Sequence, residues 1–273
     1  MTKIGFIGCG NMASAMLKGI LAKGACAPED VTVSAHSAAT LNRVSAEFGV
    51  QVVQDNADVV RASDIVFLAV KPQVYDAVLA EIRAVFGGES GVASWLGDKV
   101  LVSLAPGKSL AWLAETSPFS KIVRIMPNTP AAVGEGMPSI TCNEACSAAD
   151  KREVEALIGA FGRYAEVPEK LINAVITASG SSPAFVYMFI EAMADAAVLE
   201  GMPRAQAYEF AAQAVLGSAK MVLESGMHPG QLKDAVCSPG GTTIEGVRVL
   251  EQCGMRSAVM EALGATARKA RSM

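Results

Sequence analysis

The chain has 273 residues, 51% of them hydrophobic and 18% charged, with a formal net charge of −4 and a pI near 5.4. That balance describes a chain able to bury a core; it excludes a disordered polyelectrolyte and gives no basic footprint for nucleic acid. The cysteines are scattered without C-x-x-C spacing, no metal site is expected, and free thiols, no charged apolar leader and no uninterrupted apolar run of ~18 residues point to the cytoplasm rather than a membrane.

From residue 2 to about 167, short β-branched runs alternate with amphipathic stretches: "KIGFIG", "VTVSA", "VQVV", "DIVFLAV", "KVLVSLAP" and "KIVRIMP". Such alternation signals βαβ units and a mostly parallel sheet covered on both faces. Gly24 and Gly49 close the first two helices as C-terminal caps. At the first βα junction, Gly8-Cys9-Gly10-Asn11-Met12-Ala13 matches G-x-G-x-x-A. In that fingerprint Gly8 permits the tight turn, Gly10 lets a pyrophosphate approach the backbone, and Ala13 lets helix and strand pack closely. The second strand ends in "VSAHSAAT", where Ser34, His36, Ser37 and Thr40 stand and no carboxylate does. An acidic residue there would repel a 2′-phosphate, so NADPH is expected to serve better than NADH. Further on, "FLAVKPQ" and "IMPNTPAAVGEG" follow later strands and should face the same crevice, with Lys71 available to neutralise cofactor charge.

Beyond residue 168 the strand signals stop and alanine- and methionine-rich helical runs take over, which divides the chain into domains 1–167 and 168–273. In "FVYMFIEAMADAAVL" apolar residues surround nearly the whole helix. A helix of that kind needs burial on all sides, more than a domain of ~100 residues supplies, so a homodimer through these helices is expected. Near the end comes a second glycine loop, "SPGGTTIEGVRVL". Its T-x-x-E pattern makes Thr242 the expected N-cap of the following helix. Gly240 and Gly241 are not required by a cap; they let successive N–H groups turn toward one point at a positive helix end, which suits a carboxylate.

Taken together, "GFIGCGNM", "AVKPQ", "RIMPNTPAAVGEG", "SGSSPAFVYMFIEAMADAAVLEGMPR" and "HPGQLKDAVCSPGGTTIEGV" resemble the pyrroline-5-carboxylate reductases over essentially the whole chain. The resemblance implies an α/β fold, a doubly wound Rossmann domain followed by an all-α dimerisation domain. It implies reduction of the cyclic imine L-1-pyrroline-5-carboxylate to L-proline, the last step of proline biosynthesis, with NADPH as cofactor and NADH as a weaker substitute. Cofactor contacts are implied from Gly8, Cys9, Gly10, Asn11 and Met12, from Asn56, and from Ala69, Val70, Lys71 and Pro72. Substrate contacts are implied from Ser238, Gly240, Gly241, Thr242 and Thr243, and the oligomer from a homodimer or a dimer-based assembly. With Thr242 spent on its helix, Thr243 is the expected partner of the ring nitrogen. A protonated imine is already electrophilic at carbon, so positioning supplies most of the catalysis and no acid–base pair is demanded. A β-hydroxyacid dehydrogenase of similar architecture needs a lysine on the first long helix of the second domain, and "SSPAFVYMFIEAMADAAV" has none. A nicotinamide-binding regulator without catalysis would have no use for "SPGGTT".

Overall fold

The computed structural model describes residues 2–86 and 96–272. It divides into two compact units, one formed by Met1–Gly180 with Ala267–Met273 and the other by Ser181–Thr266.

In the first unit, β1 (Ile4–Ile7), β2 (Val31–Ser34), β3 (Gln51–Val53), β4 (Ile65–Leu68), β5 (Val100–Ser103) and β6 (Lys121–Met126) run parallel. β7 (Ser139–Cys142) joins antiparallel to β6, and β8 (Ala165–Glu166) lies parallel to β7, giving the order β3-β2-β1-β4-β5-β6-β7-β8. The chain therefore winds outward from β1 through β2 to β3, then crosses back to start again at β4. Helices α1 (Asn11–Ala22), α2 (Ala38–Phe48), α3 (Asn56–Ala62) and α4 (Tyr75–Phe86) make the crossovers that link β1 to β5. β7 and β8 are additions that the sequence pattern does not announce, β8 being only two residues long.

Period-two alternation sorts the strand residues onto the two faces. Ile4, Phe6, Ile65, Phe67, Val100 and Val102 join Met16, Leu17 and Ile20 of α1 in one buried cluster. Ile7, Val66, Leu68 and Leu101 join Tyr75, Leu79 and Ile82 of α4 in another. Phe6 and Phe67 stack at 4.7 Å across the neighbouring strands β1 and β4. Both faces are thus covered, as the continuous apolar runs require. Gly24 and Gly49 follow α1 and α2 with φ of +63° and +67°, the left-handed geometry that a glycine cap supplies.

The compact units part at Gly180, later than the composition shift at residue 167, because the helical passage 169–180 remains tied to the sheet. Ile172 is buried there, and the buried Asn128 after β6 donates to the carbonyl and hydroxyl of Ser179 at 3.2 and 3.1 Å.

The second unit is all helix: Ser182–Leu199, Arg204–Ser225, Pro229–Val236, Thr242–Gln252 and most of Met255–Arg271. Its buried cluster consists of Ala194, Ala207 and Ala211. The helix Ser182–Leu199 leaves Tyr187 56%, Met188 66% and Leu199 87% exposed in the single chain. One correction follows for the apolar runs: the passage Glu169–Leu199 contains an 18-residue window of mean hydropathy 1.4, long and apolar enough by length and composition to cross a membrane. Its Ala, Gly and Ser residues interrupt the bulky ones and hide that length from a count of uninterrupted apolar residues.

Packing of α1 gives a sign that helix propensity alone would reverse. Alanine is favoured over glycine in a helix by ~0.5–1 kcal/mol. At Gly19, though, a Cβ would stand 2.5 Å from the Cβ of Phe161, itself fully buried. Overpacking of that kind costs ~1–3 kcal/mol, so Gly19→Ala is expected to be net destabilising by about 1–2 kcal/mol. A lowered urea midpoint at unchanged m-value reports it; a raised midpoint would contradict the packing.

Candidate cofactor cleft and substrate loop

β1 and β4 are sequence-distant neighbours from which the chain leaves in opposite senses, which makes their carboxyl ends the switch point of the sheet. The loops that follow them are in contact. Gly8 has φ +87°, and a Cβ on it would lie 2.8 Å from Val70 Cγ1 and 3.0 Å from the Ala69 carbonyl. Gly8 N–H donates to Ser34 O at 2.9 Å and Ala69 N–H to Ile7 O at 2.9 Å, so the ends of β2, β1 and β4 are locked side by side. Gly10 is the N-cap of α1 with no capping side chain, and nothing lies within 4 Å of where its Cβ would be. An open, uncapped helix start of this kind presents its N–H groups and positive dipole end to an anion.

Two hollows extend from this point. One, of about 400 Å³, is lined by Gly8, Cys9, Gly10, His36, Ser37, Thr40, Ala69, Val70 and Lys71 among others. The second, of about 550 Å³, runs past Gly8, Ala35, His36, Gln54, Asn56 and Val70 to Val78 and Glu81 of α4. Ser37 caps α2, its Oγ accepting from the Thr40 N–H at 3.2 Å and meeting the Thr40 hydroxyl at 2.8 Å. The Cys9 side chain is turned into the core, while its carbonyl accepts from Arg43 Nη2 at 2.9 Å. Burial raises the Cys9 thiol pKa above its ordinary value, so this sulfur stays protonated and inert. Asn11 and Met12 form the first turn of α1, Asn11 exposed and Met12 packed against the core. Pro72 opens the short 3₁₀ turn before α4.

Ser34 needs correction as a cofactor contact. It is fully buried, and its hydroxyl donates to Asn56 Oδ1 at 2.7 Å instead of facing the cleft. Asn56 in turn donates through Nδ2 to Glu81 Oε2 at 3.0 Å. Glu81, which the sequence pattern did not single out, thus enters the cavity on the last link of a polar chain. It lies on the second turn of a crossover helix, and no motif marks that position.

In the second unit, Gly240 takes φ +67° and Gly241 N–H closes a turn on Ser238 O at 3.0 Å. Gly241 is the N-cap of Thr242–Gln252, and no side chain caps that helix. The expected capping box is therefore absent, and Thr242 and Thr243 are both exposed within the first helical turn. The register is shifted by one residue because the extended Gly241 already ends the loop. Glu245 has no cap to reach; it pairs with Arg248 at 2.6 Å, which holds its carboxyl below the usual carboxylate range. Among the described residues no cluster of three or more His, Cys, Asp or Glu could hold a metal ion.

A doubly wound sheet with a dinucleotide cleft at its switch point, joined to an all-helical unit, defines a nicotinamide-dependent oxidoreductase. A family model described as pyrroline-5-carboxylate reductase dimerisation matches residues 169–273, and one described as NADP oxidoreductase, coenzyme F420-dependent, matches residues 3–107. The pyrroline-5-carboxylate reductase of Escherichia coli (strain K12) is 50% identical over 96% of this chain and 94% of its own, and that of Arabidopsis thaliana 40% identical over 99% and 95%. The crystal structure of the Plasmodium falciparum pyrroline carboxylate reductase with NADP bound superposes with a TM-score of 0.87 at 32% identity, covering 99% of this chain and 97% of that one. The chain belongs to the pyrroline-5-carboxylate reductase family.

The open space at Gly10 separates binding from folding. Gly10 has φ −79°, which any residue adopts. Gly10→Val gives up a favoured N-cap residue and is expected to cost about 1 kcal/mol of stability, leaving the protein folded. The NADPH dissociation constant should rise about ten- to a hundredfold, since a loss of 1.4–2.8 kcal/mol in binding corresponds to that range. Fluorescence titration with thermal melts on the same samples checks both halves; unchanged affinity would remove Gly10 from the cofactor site.

Proposed function

We propose that this chain reduces L-1-pyrroline-5-carboxylate to L-proline with NADPH, through a cofactor cleft on the first unit and a substrate-anion loop on the second. The observation that carries the cofactor half is the close packing of Gly8 against Ala69–Val70 beside the uncapped start of α1. A diphosphate is the ligand that such a start favours. Gly8, Cys9, Gly10, Asn11 and Met12 would hold the pyrophosphate region, Ala69, Val70, Lys71 and Pro72 the facing wall, and Asn56 the adenosine end. Ser37, Thr40 and His36 offer hydroxyls and a ring nitrogen to a 2′-phosphate, with no acidic residue at the end of β2 to oppose it. Bound in that cleft, the reduced nicotinamide supplies a hydride.

For the substrate half, Ser238, Gly240, Gly241, Thr242 and Thr243 surround a helix start whose N–H groups no side chain occupies. A carboxylate there gains charge-assisted hydrogen bonds and the helix dipole together. Because neither threonine is needed as a cap, both hydroxyls are free, and Thr243 is the proposed partner of the ring nitrogen. The pairing of Glu245 with Arg248 keeps that carboxylate engaged beside the anion site. Hydride addition to C5 of the protonated imine leaves a secondary amine, so the chain's own groups need only orient the ring and exclude competing geometries. Free thiols at all six cysteines accord with a reducing compartment such as the cytoplasm.

The apolar surface of Ser182–Leu199 and Arg204–Ser225 is proposed as the face of a homodimer, or of a dimer-based assembly, rather than a membrane contact. Exposed Glu191, Asp195 and Glu209 interrupt it, charges costly in lipid and ordinary at the rim of a protein interface. Light scattering at micromolar concentration should return the mass of a dimer or a multiple of it; an active monomer would overturn the assignment.

Activity is tested by following NADPH oxidation in parallel with pyrroline-5-carboxylate, with a β-keto acid semialdehyde and with neither. Turnover is expected with the cyclic imine alone, and faster with NADPH than NADH. Thr243→Val should lower kcat/KM roughly tenfold to a hundredfold, the ~1.5–3 kcal/mol of one hydrogen bond to a charged group. Thr242→Val, with no cap to lose, should leave the melting temperature where it was. Wild-type kcat/KM in Thr243→Val would remove that hydroxyl from the reaction.

A further inference from the structure

Tyr75 is the first residue of α4, immediately after the loop that carries Ala69, Val70, Lys71 and Pro72. Its ring is fully buried in the cluster on one face of the sheet. Its hydroxyl, however, reaches back to the strand ends. It donates to the Leu68 carbonyl at 2.5 Å, the last residue of β4, and accepts from the Leu104 N–H at 3.1 Å and the Ser103 hydroxyl at 3.3 Å, where β5 ends. Direct pairing of β4 with β5 stops at Leu68–Ser103. The phenol takes the place of the next rung, closing the base of the loop on one side and tying it to β5 on the other.

A phenylalanine would fill the same apolar space, so burial of the ring does not explain the hydroxyl. Two of its three bonds fall on backbone and the third on the Ser103 hydroxyl, all at the carboxyl edge of the sheet, at the base of the loop that meets Gly8. We propose that Tyr75 is a positioning residue of the cofactor cleft: its hydroxyl sets the Ala69–Pro72 loop against Gly8 at the spacing a bound dinucleotide requires. This rests on the reading that Ala69–Pro72 forms a wall of the cofactor site. Burial pushes the Tyr75 pKa up to about 12, so the phenol keeps its proton, and its bond to Leu68, through the neutral range.

The test compares a complete cofactor with a fragment confined to the proposed adenosine end, whose polar partners would be Ser37, Thr40 and Asn56, none of them on the loop, although Val70 borders both hollows. In Tyr75→Phe, the dissociation constant of NADPH by fluorescence titration is expected to rise roughly five- to tenfold, the range that the net loss of one hydrogen bond supplies. That of adenosine 2′,5′-bisphosphate by calorimetry should stay within about twofold, a difference of under half a kcal/mol. NADPH affinity within that same margin of wild type overturns the proposal, and so does an equal loss for both ligands, which would mean general loosening of the fold. Should Tyr75→Phe fail to fold, Ser103→Ala leaves the ring and both backbone bonds in place and is expected to weaken NADPH about two- to threefold with no change for the fragment; no weakening of NADPH there overturns it. Wild-type protein that binds neither ligand would overturn the cleft itself, a result distinct from either variant behaving like wild type.

Discussion

The close approach of Gly8 to the Ala69–Val70 backbone governs the first unit. A turn with φ +87° immediately after β1 admits no side chain, both because that backbone region excludes Cβ and because the space is already filled by the loop after β4. With Gly8 and Ala69 each hydrogen-bonded to a neighbouring strand, the carboxyl ends of β2, β1 and β4 are held flush. From that edge α1 starts without a cap, its dipole directed at the same point. Sheet twist, crossover handedness and helix length all leave freedom in where a cleft opens; this contact removes it.

The polar chain at the Asn56 side of the cleft follows from the same edge. Ser34 is the last residue of β2 and is fully buried, so its hydroxyl must find a partner there. It donates to Asn56 Oδ1, which leaves Nδ2 directed at Glu81. A carboxylate lining a site for a phosphate-bearing ligand is unfavourable unless its charge is engaged. Here the amide of Asn56 engages it, and the negative group lies on α4 instead of at the end of β2, where a ribose 2′-substituent would meet it. One serine on a strand thereby orients an amide on the cavity wall while its own side chain stays buried.

What the sequence disclosed and what it withheld divide along physical lines. The parallel core was legible because buried strands require continuous β-branched runs, and the fingerprint Gly8–Ala13 because its glycines answer to backbone geometry. Ser34 misled because a hydroxyl at a strand end reads the same whether it faces solvent or a half-buried amide 22 residues onward. Thr242 misled because T-x-x-E fits a capping box in one register, while an extended Gly241 can end the loop one residue earlier. Glu81 and Tyr75 carry no signal at all. Their roles depend on partners brought near by the crossover, and a tyrosine in an apolar helix start looks like core.

The second unit raises the question of what keeps its helices packed. Its buried cluster is three alanines, whose methyl groups let Ser182–Leu199 and Arg204–Ser225 approach closely. Ile190, Met193, Val198 and Met202 pack against it only partly buried, while Met188, Phe210, Leu216, Leu223 and Met260 remain more than half exposed. Side chains of that size each gain ~1.5–3 kcal/mol on burial, a stabilisation that the proposed homodimer would draw on. Under the proposed pairing, the folding of this unit and its association are then one process, and its stability depends on protein concentration. Alanines at the fully buried centre and large side chains left exposed are what the proposed pairing calls for, in which a second copy would complete the core.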